Sequence, residues 1–284
     1  MTEPNSSDLA PLHALVTGGG SGIGLAAAAR LLARGAVVTL MGRDGDRLER
    51  AASSLVSDLG LPSTRIRTST GDVADEQAVA HAIEVAAEGG RLDVAVANAG
   101  AGGAAPLTRT TVDSWRSILD TNLTGAFLTV KHAGIAMAAD GYGGAICAVS
   151  SIAGSATHRY MTPYCVSKAG LEMLVANAAD EFGANGIRVN AVAPGLVETS
   201  LSDTLRTTEP VYDDYVANMP LVRHGRPDDV AAAIDWLVGP DSTWITGVIL
   251  PVDGGHHLRR GPNLEPIMQM VFSQEAMANQ PERE

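Results

Sequence analysis

Apolar residues along the chain fall into two alternating kinds of run. The short runs are 14–17, 37–41, 65–70, 93–97, 145–150, 188–192 and 248–252. They are rich in Val, Ile and Ala, and most give way to Gly, Asp or Asn. Most are almost uniformly apolar instead of alternating, which predicts strands buried on both faces of a parallel sheet. Run 65–70 is the exception, being mostly polar. The long runs include 23–34, 46–59, 76–87, 124–139, 162–184 and 228–238. They are Ala- and Leu-rich, with charges at helical spacing. Strand–helix alternation predicts right-handed βαβ units and a doubly wound, three-layer α/β domain around a mainly parallel seven-stranded sheet.

No linker-like composition interrupts this pattern between residues 12 and 255, so a single domain is expected there. Residues 1–11, with Pro4, Asn5, Ser6, Ser7 and Pro11, read as a mobile tail. The segment 200–220 reads as polar and irregular. A C-terminal extension, 256–284, has apolar positions of its own: Leu264, Ile267, Met268, Met270, Val271, Phe272 and Met277. Three readings stay open for it: an arm on a neighbouring subunit, a helix on its own domain, or a disordered end.

Composition narrows the function classes. The chain has 284 residues, 45% of them hydrophobic, and a formal net charge of -12. An acidic whole opposes non-specific nucleic-acid binding and anionic membrane surfaces. No apolar stretch approaches the ~20 residues of a membrane span, and residues 1–13 lack a basic-then-apolar leader. Cys147 and Cys165 form neither a disulfide framework nor zinc spacing, and no metal site is expected. A cytoplasmic location is the default expectation.

Thr17-Gly18-Gly19-Gly20-Ser21-Gly22-Ile23-Gly24 follows the first strand and opens a helix. Glycines there permit a sharp turn and a close approach of backbone N–H groups to a pyrophosphate. The phosphate-loop pattern ending in Gly-Lys fails, since Leu25 follows Gly24, and the strict G-x-G-x-x-G fits no register from Gly18, Gly19 or Gly20. What fits is T-G-x-x-x-G-I-G, at the head of a Rossmann-type fold.

Further along, Tyr164 and Lys168 stand four residues apart, on one face of a helix. A phenol of pKa ~10 is a poor base at neutral pH, but a neighbouring lysine cation favours the phenolate. A tyrosine so tuned takes a proton from an alcohol or gives one to a ketone. Ser151 lies upstream at the end of an apolar strand, the edge where open α/β sheets bind ligands.

Together, Thr17–Gly24, Asn98-Ala99-Gly100, Asn122, Ser151, Tyr164, Lys168 and Pro194-Gly195 resemble the short-chain dehydrogenase/reductase family in order and spacing, over roughly residues 12 to 255. The resemblance implies an NAD(P)-dependent oxidoreductase acting on a small or medium alcohol or carbonyl substrate. It implies a catalytic set of Asn122, Ser151, Tyr164 and Lys168. Tyr164 resembles the general acid/base and Lys168 the residue that holds the nicotinamide ribose and tunes it. Ser151 resembles the donor that polarises the carbonyl, with Ser150 the competing candidate, and Asn122 the anchor of a proton-relay water. For the cofactor it implies Gly18, Gly20, Ser21, Gly22, Ile23 and Gly24 at the phosphates and Asp72 and Val73 at the adenine. Asn98, Ala99 and Gly100 belong beside the adenosine ribose, and Pro194, Gly195, Val197 and Thr199 at the carboxamide.

Gly42 stands at the second strand's tip, where an acid would bind the ribose diol of NAD, and Arg43 follows it. That favours NADP, whereas the adjacent Asp44 keeps NAD open. His158 and Tyr160, between Ser151 and Tyr164, are either substrate contacts or loop residues. Relatives of this kind are dimers or tetramers, so a homo-oligomer is expected. Small residues (Ala126, Ala133, Ala136, Ala138, Ala169, Ala176, Ala178, Ala179) on runs 124–139 and 162–184 suit close helix packing. Two rivals remain: a catalytically silent dinucleotide-binding sensor or scaffold, and a nucleotide-sugar epimerase or dehydratase.

Overall fold

A computed structural model describes residues 12–272 except 89, 260, 262 and 263. The expected N-terminal tail and Met277 lie outside the described residues. In chain order the main elements are β1 (His13–Thr17), α1 (Gly22–Ala33), β2 (Val37–Gly42), α2 (Gly45–Leu59), β3 (Ile66–Thr70), α3 (Glu76–Ala87), β4 (Val94–Ala97), α4 (Val112–Leu119), α5 (Gly125–Asp140), β5 (Gly144–Val149), α6 (Thr162–Phe182), β6 (Ile187–Pro194), α7 (Asp203–Thr207), α8 (Glu209–Ala217), α9 (Pro227–Val238), β7 (Ile249–Val252) and α10 (Glu265–Val271). The seven strands form one sheet in the order β3-β2-β1-β4-β5-β6-β7, and every pairing is parallel.

The inner strands alternate their side chains between two buried faces. Ala14 and Val16 enter the core beneath α1, α2 and α9, while Leu15 faces α3, α5 and α6. Both faces are covered, which explains the uninterrupted apolar runs. The chain winds one way from β1 to β3 and the other way from β4 to β7. Strand direction therefore opens a crevice beyond the carboxyl ends of β1 and β4, where such sheets bind ligands.

The structure departs from the sequence expectation at α4, at segment 200–220 and at the small residues of α5 and α6, and it takes up one of the open readings of the extension. Helix α4 was not anticipated, though Val112, Trp115 and Leu119 mark its apolar stripe and Thr111 accepts the Ser114 N–H as its cap. It runs on through a π-type turn, Asp120–Thr124, into α5. Segment 200–220 is not irregular: it contains α7 and α8. Val211 and Tyr215 of α8 are buried, one helical turn apart, in a third core with Leu196, Leu264, Ile267 and Met268. The extension also packs on its own domain, since α10 seats on that cluster beside α8. Half of the small residues expected at a subunit contact (Ala126, Ala133, Ala178, Ala179) instead face the sheet of their own chain, where small side chains let α5 and α6 approach closely.

Candidate active site

The loop after β1 is shaped by what its glycines leave out. Gly18 and Gly22 have φ of +64° and +54°, the left-handed region that a Cβ disfavours. A Cβ on Gly18 would lie 2.8 Å from Asn98 Nδ2, and one on Gly24 only 2.5 Å from it. Into that space Asn98 Nδ2 donates to the carbonyls of Thr17 (2.9 Å) and Gly18 (3.2 Å). In return, Thr17 Oγ1 accepts from the N–H groups of Asn98 (3.0 Å) and Ala99 (3.1 Å). The Asn98 side chain thus clamps the loop to the end of β4. Gly24 is buried behind the loop, whereas Gly18, Ser21, Gly22 and Ile23 line the larger of two adjoining cavities.

That larger cavity has a volume of about 730 Å³, and its smaller neighbour about 320 Å³. Gly18, Ser21, Arg47, Ala99 and Gly100 border both. The smaller one is also lined by Gly20, Gly42, Arg43, Asp44, Asp72 and Val73. Asp44 accepts the Arg47 N–H at 3.0 Å as the cap of α2, and its carboxylate lies 3.5 Å from Arg47 Nε. Asp72 accepts the Ala74 N–H and lies 4.0 Å from Arg43. Arg47 was missed by sequence reasoning; its position in the first turn of α2, beside the loop, was the available signal. An extended cradle of backbone N–H groups, a helix N-terminus and two guanidinium groups fits a dinucleotide with its phosphates and ribose.

At the other end, α6 carries the titratable groups. Lys168 is buried and its Nζ donates to the carbonyl of Val149, the last residue of β5, at 2.8 Å. Burial pushes the ammonium down to about 8, partly opposed by the negative charge of Glu172. Tyr164 lies one turn earlier, with Nζ 5.7 Å from its ring centroid. Burial raises the phenol, and a hydrogen bond with Ser151 pulls it back. The expected pull of Lys168 on the phenol is not the ruling influence here, because the ammonium is turned to the Val149 carbonyl. Ser151 follows β5 directly, and its Oγ accepts from Ala153 N–H and donates to Pro194 O.

Ser150 also lines the cavity, with its hydroxyl donating to Glu172 Oε1 at 2.9 Å. Glu172 was not anticipated, although it continues the Tyr164–Lys168 face by one further turn. Gly154 makes room for it: a Cβ there would collide with Glu172 Oε1.

Asn122 lies buried in the π-type turn. Its Oδ1 accepts from Ala101 N–H (2.7 Å), and its Nδ2 donates to Ala101 O (2.9 Å) and Ser167 Oγ (3.0 Å). Ser167 donates in turn to the carbonyl of Tyr164 at 2.7 Å. The extra residue of the π turn turns Asn122 inward, a common use of such bulges. Pro194, Gly195, Val197 and Thr199 all line the larger cavity, and Thr199 Cγ2 would touch a Cβ at Gly22. Beyond Tyr164 the walls are Met161, Leu196, Leu205 and Tyr215, with His158 among them. Tyr160, by contrast, lies buried in the third core under Arg159.

Among the described residues, no group of three or more His, Cys, Asp or Glu could hold a metal, and no helix is long and apolar enough to cross a membrane.

A sequence profile described as enoyl-(acyl carrier protein) reductase matches residues 18–257. Cis-4-hydroxycyclohexanecarboxylate dehydrogenase of Sinomonas cyclohexanicum is 42% identical over 247 residues, which is 86% of this chain and 95% of that protein. A short-chain type dehydrogenase/reductase from Mycobacterium ulcerans superposes with a TM-score of 0.90 at 37% identity, covering 96% of this chain and 100% of the other. A single-substitution variant of actinorhodin polyketide ketoreductase, solved with NADPH, superposes at 0.82 with 31% identity, covering 88% and 98%.

Replacing Glu172 with Gln leaves the hydrogen bond to Ser150 but removes the charge that holds Lys168 protonated. The resemblance implies a charged Lys168 beside a protonated Tyr164 for ketone reduction, so the rate is expected to fall as pH rises through the Lys168 pKa near 8. The variant's alkaline limb of kcat/KM is expected to move to lower pH by about half to one unit. An unmoved limb would show that Glu172 does not act on the site.

Proposed function

The chain belongs to the short-chain dehydrogenase/reductase family, and from that premise we propose that Tyr164 moves the proton in an NADP-preferring alcohol/ketone oxidoreductase. The reaction class follows from the family: an enzyme that interconverts CH–OH and C=O on a small organic substrate with a nicotinamide dinucleotide. When bound, that dinucleotide supplies or accepts the hydride.

The observation that carries the residue roles is the convergence of Ser151, Tyr164 and Lys168 on one cavity wall beyond β5. For reduction, Ser151 Oγ–H holds the substrate oxygen while the Tyr164 phenol donates its proton to it. For oxidation the same phenol takes the alcohol's proton. Lys168 contributes a positive charge that steadies the phenolate left behind, and orients the ribose hydroxyls. Asn122, tied to Ala101 and Ser167, holds the α4–α5 turn against α6 and so keeps the proton path at fixed geometry. A silent sensor would have no use for this set.

The cofactor preference rests on charge. Gly42 brings no carboxylate to the tip of β2, and Asp44 is engaged as the cap of α2. Arg43 and Arg47 border the smaller cavity with exposed guanidinium groups, a setting for a 2′-phosphate. The relative solved with NADPH agrees with that reading. Residues 12–255 then act as one dinucleotide-binding and catalytic unit with 256–284 as its extension. A reducing compartment such as the cytoplasm suits the two free thiols.

Self-association belongs to the same reading. Phe127 and Ile135 on α5, with Val166 and Met173 on α6, are exposed on neighbouring helices, an apolar face of the kind that marks subunit contacts. A dimer or tetramer is expected in light scattering, and a monomer at working concentration would refute it.

Tyr164→Phe removes only the transferable proton. Its turnover is expected to fall by about two to four orders of magnitude with dinucleotide affinity nearly unchanged. Retention of wild-type kcat would refute the acid/base role. Arg43→Ala is expected to weaken NADP by roughly 1.5–3 kcal/mol and to spare NAD. Equal losses for both, or none, would reassign the ribose contact to Asp44.

A further inference from the structure

The substrate end of the larger cavity is walled partly by the C-terminal extension. Leu264, Ile267, Met268 and Val271 all line it. Their spacing puts them on one face of α10. Leu264 and Met268 are almost fully buried, whereas Val271 is 67% exposed at the rim. The segment leading to α10 is fixed at several points. Arg259 Nη1 donates to the Ala217 carbonyl at 2.6 Å. The His256 and Tyr215 rings meet edge to face with centroids 5.4 Å apart. Gly261 passes so close to the Thr157 carbonyl that a Cβ would collide with that oxygen. This wall therefore belongs to the same chain and is docked on α8.

Charge is the second observation. Among the described residues lining this cavity, the cations are Arg47, at the cofactor end, and Lys168, held on the Val149 carbonyl. His158 does not add one. Its Nδ1 lies 3.0 Å from the Ala156 carbonyl oxygen, which only accepts, so Nδ1 carries a proton that is taken up by that contact. Burial also pushes the imidazole down, away from the charged form. Ser202 Oγ is engaged with the Thr199 carbonyl at 3.0 Å. An anionic group here would lose its water and gain no cation, an unfavourable exchange.

We propose that the substrate is an uncharged alcohol or ketone with an apolar body, and that α10 forms the outer wall that selects it. The proposal rests on the oxidoreductase reading above and deepens it. Tyr164 and Ser151 then meet the only oxygen that the substrate needs to hydrogen-bond. Apolar contact with Met161, Leu196, Ile267 and Met268 holds the remainder, and loss of charge–water contacts rejects carboxylates.

The test uses the full chain and a matched pair of ketones, 4-methylcyclohexanone and 4-oxocyclohexanecarboxylate, which differ chiefly in a methyl against a carboxylate. Binding to the NADP(H)-loaded protein is measured by calorimetry, and reduction by NADPH oxidation. The methyl ketone is expected to win in both readouts by about tenfold or more, the cost of stripping a charged group of its partners. In Val271→Arg, at the exposed rim, the ratio is expected to move toward the carboxylate by about tenfold with an unchanged Tm.

Equal or reversed preference in the wild type overturns the substrate class, as does absence of binding by either ketone. An unmoved ratio in the folded Val271→Arg variant overturns the role of α10. The oxidoreductase reading fails differently: the methyl ketone binds, yet no NADPH is consumed.

Discussion

An ammonium group buried at the end of a parallel sheet has to find an oxygen, and Lys168 finds the Val149 carbonyl. Val149 closes β5, so this one bond ties α6 to the strand end where Ser151 emerges. The helical repeat then does the rest. Tyr164 falls one turn earlier, in hydrogen-bond contact with Ser151, and Glu172 one turn later, with Ser150 as its partner. Burial is what makes the cluster responsive. It brings Lys168 down toward neutral pH, and the nearby Glu172 carboxylate opposes that fall.

The second constraint is steric and sits across the crevice. Asn98 reaches into the loop after β1 because Gly18 and Gly24 have no side chains to exclude it. Its amide satisfies two loop carbonyls, and Thr17 returns two acceptor contacts to β4's end. The loop is thereby fixed, with Gly18, Ser21, Gly22 and Ile23 bordering the cavity at the start of α1. These two fixtures, one on β4 and one on β5, frame a site that is polar and cationic toward α2 and apolar toward α8 and α10. The gradient matches a ligand pair of opposite character: a phosphate-rich cofactor and a substrate with little polarity.

Much of this was legible in the residues. The uniformly apolar runs gave strands within two residues of those observed, because a sheet covered on both faces leaves no polar alternation to mislead. The glycine loop, Ser151, Tyr164 and Lys168 stood out because each occupies a chemically demanding position that few residue types fill. Helices α4, α7 and α8 were missed because they are short, and their apolar stripes of two or three residues carry little periodic signal. Arg47 and Glu172 were missed for another reason. Each is an ordinary charged residue on a helix, and only proximity gives it meaning.

The sequence by itself determined the layered α/β class, the seven strands with the six long helices between them, and the family with its reaction class. Those properties depend on local periodicity and on motifs whose spacing is set by one turn of helix or one strand end. Tertiary structure alone decided which carbonyl takes the Lys168 charge, that the Glu172 carboxylate lies against Gly154, and that Asn98 serves the loop's shape. It also decided that Leu264, Ile267, Met268 and Val271 line their own chain's cavity, with Leu264 and Met268 in a shared core with Val211 and Tyr215. The physical reason is the same throughout. Burial, desolvation and steric exclusion act between residues far apart in the chain, and their sign is fixed only once folding has chosen the neighbours.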